Sequence, residues 1–499
     1  MLQIVHDVAP GAELAFHTAF LGQAGFANGI VELATTAGAD VIVDDIIYFA
    51  EPMFQDGVIA QAVDQVVDLG VGYFSSAGNG DRTSYESAFV DSGQTFIGTL
   101  HDFDPGAGVD TFQQVTIGAG ASISLSFQWD DPFASISTSG ASADTDLDIY
   151  LFDQDSTAGN LLAASTNRNV DGDPVEILQY TNNTGAPVTA HLAISNFEGP
   201  DPELMKYIGF VRGGFSIDEF ATNSSASWGH ANAVGAQSIA AAPFFGTPDF
   251  GVSPPVVEPF SSVGGTPILF DTVGNRLPSP EVRAKPEVTG PDGGNNTFFI
   301  NDSGADADLF PNFFGTSASA PHVAAVAALM LDAAGGPGSL SPSDVYGTLE
   351  STAIDMDDPF TPDFDFGFDF KTGFGLIDAN AAVAQVYVED PGDPIAPFPV
   401  PLNSVDPQGS LIYEGLASDE LEEVGDTDSF TIDVDPGQTI TVVVDSEESL
   451  QATIELLDPA GSPFATATAS APGETTLLQT AEITDGGVYT IVVSVANTG

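Results

Sequence analysis

The stretch FFGTSASAPHVAAVAALML, Phe313 to Leu331, sets how the rest of the chain is read. A Gly-Thr turn leads two serines into a helix, and the small residues from Gly315 to Ala320 let the backbone bend sharply and a substrate come close. A serine in the first turn of a helix keeps its own N–H free, and the positive end of the helix dipole favours an oxyanion there. Ser317 is therefore a candidate nucleophile. The same residues also fit a plain serine cap with a proline in the first turn, so these features alone leave both readings open.

Outward from this helix the chain shows three textures. In residues 1–79, GIVELATTAGADVIVDDI reads as a helix, a glycine turn and a buried strand from Val41. IAQAVDQVVDLGVGYFSSAGN repeats the pattern and ends at Asn79. Such alternation with short turns predicts a parallel sheet covered on both faces. From about Gly80 to Thr222 the pattern is β alone: TFQQVTIGAGASISLSF and DLDIYLFD alternate apolar and polar residues between Gly, Asn and Asp turns. The α/β texture resumes at SWGHANAVGAQSIAAA and runs to about Val388. A Pro-rich linker, 389–405, then leads into a second β-rich segment, 406–499.

The two β segments repeat each other. Asp110-Thr111-Phe112 before VTIGAGASISL parallels Asp428-Ser429-Phe430 before IDVDPGQTITV, and LDIYLFDQDSTAGNLLA parallels TIELLDPAGSPFA. GAPVTAHLAISN likewise parallels GGVYTIVVSVAN. The repeat is about 100 residues long, the size of a small β-sandwich. One copy is inserted into the α/β part and one is appended.

Composition narrows the function classes. The 499 residues leave room for two or three domains. Against 71 Asp+Glu there are 8 Lys+Arg, a net charge of −63. That field repels nucleic acid and anionic membranes, and suits a soluble protein in a salty or calcium-rich medium, where ions screen the self-repulsion. The chain has no cysteine, which excludes disulfides and thiolate metal sites. No apolar run reaches the ~18 residues of a membrane-spanning helix. The start MLQIVHDVAPGAELAF lacks a basic segment and carries His6, Asp7 and Glu13, so it does not read as a signal peptide. Met1 falls inside a helical pattern and Gly499 inside an unfinished β run, so a fragment of a longer protein is expected.

GTSASAPHVAAVAALM resembles the serine motif of the subtilisin-like serine proteases, the subtilases. YFSSAGN, Tyr73 to Asn79, resembles the strand end that carries that family's oxyanion-hole asparagine. VAPGAEL, GADVIVDDI, PFSSVGG, RAKPEVTGPDG and FKTGFGLIDANAAV are similar to further family segments and come in the family's order. Together they cover residues 1–79 and about 222–388. The resemblance implies Ser317 as nucleophile, Asn79 as oxyanion donor, and a substrate cleft lined by Asp45, Gly78, Gly315 and Thr316. Without it, Asn79 reads as a turn residue ending a strand.

The departures from the family pattern bear on activity. A subtilase runs Asp, His, Ser along the chain, and the first two would lie upstream of Met1. Serine without a base is a poor nucleophile. His6 lies past the position of the family's histidine, His230 precedes a core strand, and His322 supports the serine motif from behind. His17, His101 and His191 have no catalytic partner nearby in sequence. Asp44 and Asp45 stand where subtilases usually carry Ser-Leu-Gly, and two acids on a buried strand are costly unless paired or functional. The sedolisins share the GTSAS motif and use a Glu–Asp pair, yet place Asp where this chain has Asn79.

Acid clusters at Asp144, Asp146 and Asp148, at Asp171 and Asp173, and from Asp355 to Asp369 leave Ca2+ open as a ligand, although none has EF-hand spacing. The β repeats resemble the pre-peptidase C-terminal domains of secreted bacterial proteases. The expectation is thus an α/β, subtilisin-like parallel sheet flanked by helices, with an inserted (80–221) and a C-terminal (406–499) jelly-roll-like β-sandwich. Its parent is a monomeric, secreted or cell-surface serine endopeptidase acting on protein or peptide, without nucleic acid or membrane insertion. The rival is a subtilase-fold binding or surface-display protein that has lost catalysis.

Overall fold

Four strands make the parallel sheet, in the order Val41–Asp44, Gly72–Ser76, Ala236–Pro243, Val288–Asp292. This is a computed structural model describing residues 1–299, 304–307, 309–387, 396–397, 403–404, 413–415, 427–446 and 450–498. Its contacts divide the chain into two units, Met1–Val388 and Glu389–Gly499. Register pairs Val41 with Gly72, Tyr73 with Ala236 and Ile239 with Val288.

Successive side chains of a strand face opposite ways, so each face of the sheet needs its own cover. Tyr73 turns to one face, where the helices after α1 (Leu2–Val8), namely α2 (Gly22–Glu32) and α3 (Val58–Asp68), bring Phe26, Ile30, Ile59, Val63 and Val66. Phe74 turns to the other, against Val323, Ala327 and Met330 of α4 (Thr316–Ala333). Each such aliphatic side chain, fully buried, contributes about 1.5–3 kcal/mol. Helix α4 is apolar on nearly all sides and lies buried along most of its length. It approaches the Val288–Asp292 strand so closely that a Cβ on Gly290 would come 2.8 Å from the Ser319 carbonyl oxygen. Glycine there is what lets the serine helix sit on the sheet. The second strand stops at Ser76, so Asn79 stands three residues beyond its end.

Residues 84–217 form antiparallel sheets around one core, with Tyr85, Phe103, Ile117, Leu125, Phe127, Trp129, Leu147 and Tyr207 packed together. Within them, Ser122–Trp129 pairs with Val175–Thr181, and Asp146–Phe152 lies between Leu161–Ser165 and Val188–Glu198. The second unit has the same pairing: Thr441–Val444 with Thr476–Gln479, and Leu450–Leu457 between Pro463–Thr468 and Gly487–Thr498. The repeat read from the sequence therefore corresponds to one strand-pairing scheme used twice. The linker expected at 389–405 lies outside the described residues except for 396–397 and 403–404.

With so few cations, the chain spends them internally. Lys206, Lys285 and Lys371 are all buried, paired with Glu86, Glu287 and Asp81. Arg82 meets Asp358, Arg276 meets Asp130, and Arg283 meets Asp56. No helix of the described residues is long and apolar enough to cross a membrane.

Candidate active site

Gly315 opens the serine helix at φ 132°, a conformation that L side chains rarely adopt. Its N–H donates to Asp292 Oδ2 at 2.6 Å, tying the turn to the end of the Val288–Asp292 strand. The next two donors define the site. Thr316 N–H and Thr316 Oγ1 both donate to Asn79 Oδ1, each at 3.0 Å, and Gly78 N–H donates to Thr316 Oγ1 at 3.2 Å. With Asn79 Oδ1 accepting twice, the amide orientation is set and Nδ2 is left as a donor that takes no acceptor among the described residues. Ser317 N–H is in the same condition, since Ala318 and Ser319 are the residues whose N–H groups reach back to the Gly315 carbonyl. Gly78 is held at φ 99°, and a Cβ there would meet Ser262 Oγ at 2.9 Å. The sequence-expected residues Gly78, Asn79, Gly315, Thr316 and Ser317 are thus brought to one turn. Ser317 itself is half-buried.

The two acids following Val43 part company. Asp44 is 6% exposed and turns beneath the sheet edge, where its Oδ1 accepts from Ser75 Oγ at 3.2 Å and meets His230 Nε2 at 3.1 Å. The other ring nitrogen, Nδ1, lies 2.9 Å from Glu51 Oε2. Burial by itself would push the His230 pKa down; the Glu51 and Asp44 charges outweigh it and hold the ring protonated well above its ordinary 6.5. Gly229 makes room for this, since a Cβ there would come 2.7 Å from the Glu51 carboxyl. Asp45 instead faces Ser317. Asp45 is exposed as a residue, yet protein crowds its carboxyl. That desolvation pushes its pKa up to about 6, with the neighbouring Ser317 hydroxyl pulling it down and the Asp44 charge pushing it up.

His322 stands on α4 with Nδ1 2.8 Å from the Ala318 carbonyl oxygen, its pKa lowered by burial. His101 belongs to the inserted β core, between Tyr85 Oη and the Val90 N–H. Phenylalanine rings line one flank of the turn: Phe250, Phe244, Phe245 and Phe314 form a chain with centroids 5.2, 5.2 and 6.4 Å apart. Gly293 admits two of these rings, Phe244 and Phe314, to the backbone, a Cβ there meeting Phe314 at 2.5 Å and Phe244 at 2.9 Å. Among the described residues no three acidic or histidine side chains converge to hold a metal ion. In the inserted segment Asp148 accepts from Tyr150 Oη, while Glu176 accepts from Ser165, from Asn167 Nδ2 and from the Asn167 N–H. Two residues of this site, Glu51 and Asp292, carry no mark of their own in the sequence. The segment RAKPEVTGPDG contained one of them, but nothing local marks its aspartate.

A family model described as the subtilase family matches residues 5–375. An extracellular basic protease of Dichelobacter nodosus is 29% identical over 205 residues, 38% of this chain and 31% of that protein. The chain therefore spans about a third, 31%, of the curated relative it matches. Among solved structures, the CspB protease of Clostridium perfringens superposes with a TM-score of 0.40 at 11% identity, over 73% of this chain and 70% of the other. A PatG macrocyclase in complex with peptide gives 0.32 at 13% identity, over 74% and 58%.

Proposed function

Because this chain belongs to the subtilase family, we propose that it hydrolyses peptide bonds as a secreted serine endopeptidase with Ser317 as the nucleophile. The observation that carries this reading is the pair of donors, Asn79 Nδ2 and Ser317 N–H, left without acceptors among the described residues at the turn bearing the Ser317 hydroxyl. Attack by Ser317 Oγ on a scissile carbonyl forms the C–O bond and moves the carbonyl electron pair onto oxygen. The two donors then meet the developing oxyanion, and their fixed orientation means little reorganisation as charge appears. Asp45 is the acidic group set against the hydroxyl, and as a carboxylate it accepts the Ser317 proton. Secretion is supported by the extracellular relative. The β segments are proposed as sandwich domains, 80–221 inserted in the peptidase part and 406–499 following it along the chain.

An alkyl fluorophosphonate, which phosphonylates activated serines, tests this on the full chain with peptide mapping by mass spectrometry. Ser317 is expected to carry the label, at a rate that rises with pH through about 6 as Asp45 loses its proton. Asp45→Asn is expected to slow labelling about 10²- to 10⁴-fold and to remove that rise. A chain that binds peptide without Ser317 ever being labelled is the silent, display-type protein instead.

The phenylalanine flank suits an apolar side chain next to the scissile bond. In a panel of otherwise identical peptides, Phe or Leu beside the bond is expected to raise kcat/KM over Asp by about 10- to 200-fold. Phe245→Ala, at an exposed ring of that flank, is expected to shrink the ratio.

A further inference from the structure

Asp292 and Glu258 are 1% and 9% exposed and meet each other with no Lys, Arg or His paired to either. The neighbouring strand Ala236–Pro243 carries no titratable side chain, and the first on α4, His322, is turned to the Ala318 carbonyl. Two carboxylates buried in contact without a cation do not both ionise, because neither charge is solvated and each repels the other. The hydrogen bonds say where the remaining proton goes. Asp292 Oδ2 already accepts the Gly315 N–H at 2.6 Å, while Asp292 Oδ1 is buried with no donor among the described residues. An acid whose Oδ1 carries the proton satisfies both atoms at once, donating to Glu258 and accepting from Gly315.

We propose that Asp292 and Glu258 share one proton and that neutral Asp292 is a positioning residue, clamping the Gly315 turn so that Asn79 and Ser317 keep their catalytic relation. Gly315 has no side chain to restrain its φ of 132°, so this hydrogen bond, with those of Thr316 to Asn79, fixes the direction in which Thr316 and Ser317 leave the turn. The catalytic consequence rests on the peptidase reading above; the clamp itself does not.

The clamp has a pH limit. Burial first, then the Glu258 charge, pushes the Asp292 pKa up to about 7 against the opposing Gly315 N–H. Above that pH a second buried charge forms, Asp292 and Glu258 repel, and the turn loosens. Asp45 acts in the other direction, gaining competence as pH rises through about 6. Ser317 reactivity is then bell-shaped, with its maximum between these limits.

Two readouts separate the clamp from catalysis. In full-length protein labelled with 15N-glycine and 13C-carbonyl phenylalanine, the Gly315 amide proton is expected to shift with a midpoint near pH 7. Asp292→Asn retains an acceptor for Gly315 and a permanent donor to Glu258, so that shift should vanish and the alkaline limb of fluorophosphonate labelling should vanish with it. Asp292→Ala removes the clamp and is expected to slow labelling about 10- to 100-fold at every pH. If Asp292→Ala fails to fold, wild type and Asp292→Asn still decide the matter. A Gly315 amide that titrates in a protein that never labels supports the clamp and sinks the peptidase reading. A Gly315 amide that stays put between pH 5 and 9, or titrates alike in wild type and Asp292→Asn, overturns the clamp whatever Ser317 does.

Discussion

Ser317→Ala is expected to lower peptide hydrolysis on the order of 10³- to 10⁶-fold and to abolish fluorophosphonate labelling. The size of the effect follows from what is lost: the atom that forms the bond to the scissile carbonyl. What remains is binding and the two oxyanion donors, which by themselves accelerate hydrolysis only modestly. Stability should barely move, because Ser317 is half-buried and alanine suits a helix at least as well as serine. Asn79→Asp is the informative companion. Aspartate keeps an oxygen for Thr316 N–H and Oγ1 but removes the Nδ2 donor and sets a negative charge against the oxyanion. A loss of about 10²- to 10³-fold in kcat with KM little changed is expected, since the donor acts on charge that exists only in the transition state. Steady-state kinetics on one peptide would check both variants. Equal losses in kcat and in binding for Asn79→Asp would argue that Asn79 only shapes the turn.

His230→Ala is expected to cost about 3–5 kcal/mol of stability, seen as a lowered midpoint in thermal or denaturant unfolding. His230 is 3% exposed and stands between Glu51, 2% exposed, and Asp44, 6% exposed. Removing the ring leaves two carboxylates buried together with no cation, an arrangement worse than never having built the triad. The pH dependence carries the same signature. The folded chain holds a proton on His230 well above 6.5, the value at which the unfolded chain releases it. Its stabilisation is therefore complete below about 6.5 and is lost as pH rises toward the folded-state value, at up to about 1.4 kcal/mol per pH unit. His230→Ala should lose that slope. An unfolding midpoint equal to wild type at pH 7 would mean the ring is not charged. Because the Asp44 end of this triad adjoins Asp45, the variant should also loosen the acid facing Ser317.

Much of this molecule was legible before any coordinates. Helical spacing in IAQAVDQVVDLG predicts a helix that the structure places at Val58–Asp68, and the run after Ala39 predicts a strand found at Val41–Asp44. Both signals are local: each depends on residues within a turn or two, so the sequence displays them directly. The family follows from motifs of the same kind, GTSASAP and SSAGN, whose small residues and fixed order leave few alternatives. Ser317 and Asn79 are marked in this way, and the structure brings them together although Asn79 and Thr316 stand 237 positions apart along the chain.

The roles of the acids were not legible, and the reason is electrostatic. With 71 Asp and Glu in the chain, an acidic residue in the sequence carries almost no information. Asp44 and Asp45 are adjacent, yet one is bound to a histidine 186 positions away and the other faces the serine helix. Which side each takes depends on strand direction and on what packs beneath. Asp292 and Glu258 become a pair because the Glu258 loop bonds to the Ala236–Pro243 strand, beside which Val288–Asp292 lies. By itself the sequence determined the order of helices and strands, the repeated β pattern and the serine turn, all from short-range pattern. Tertiary structure alone decided which carboxylates are ionised and which hold a proton, because desolvation and charge contact act through space and ignore separation along the chain.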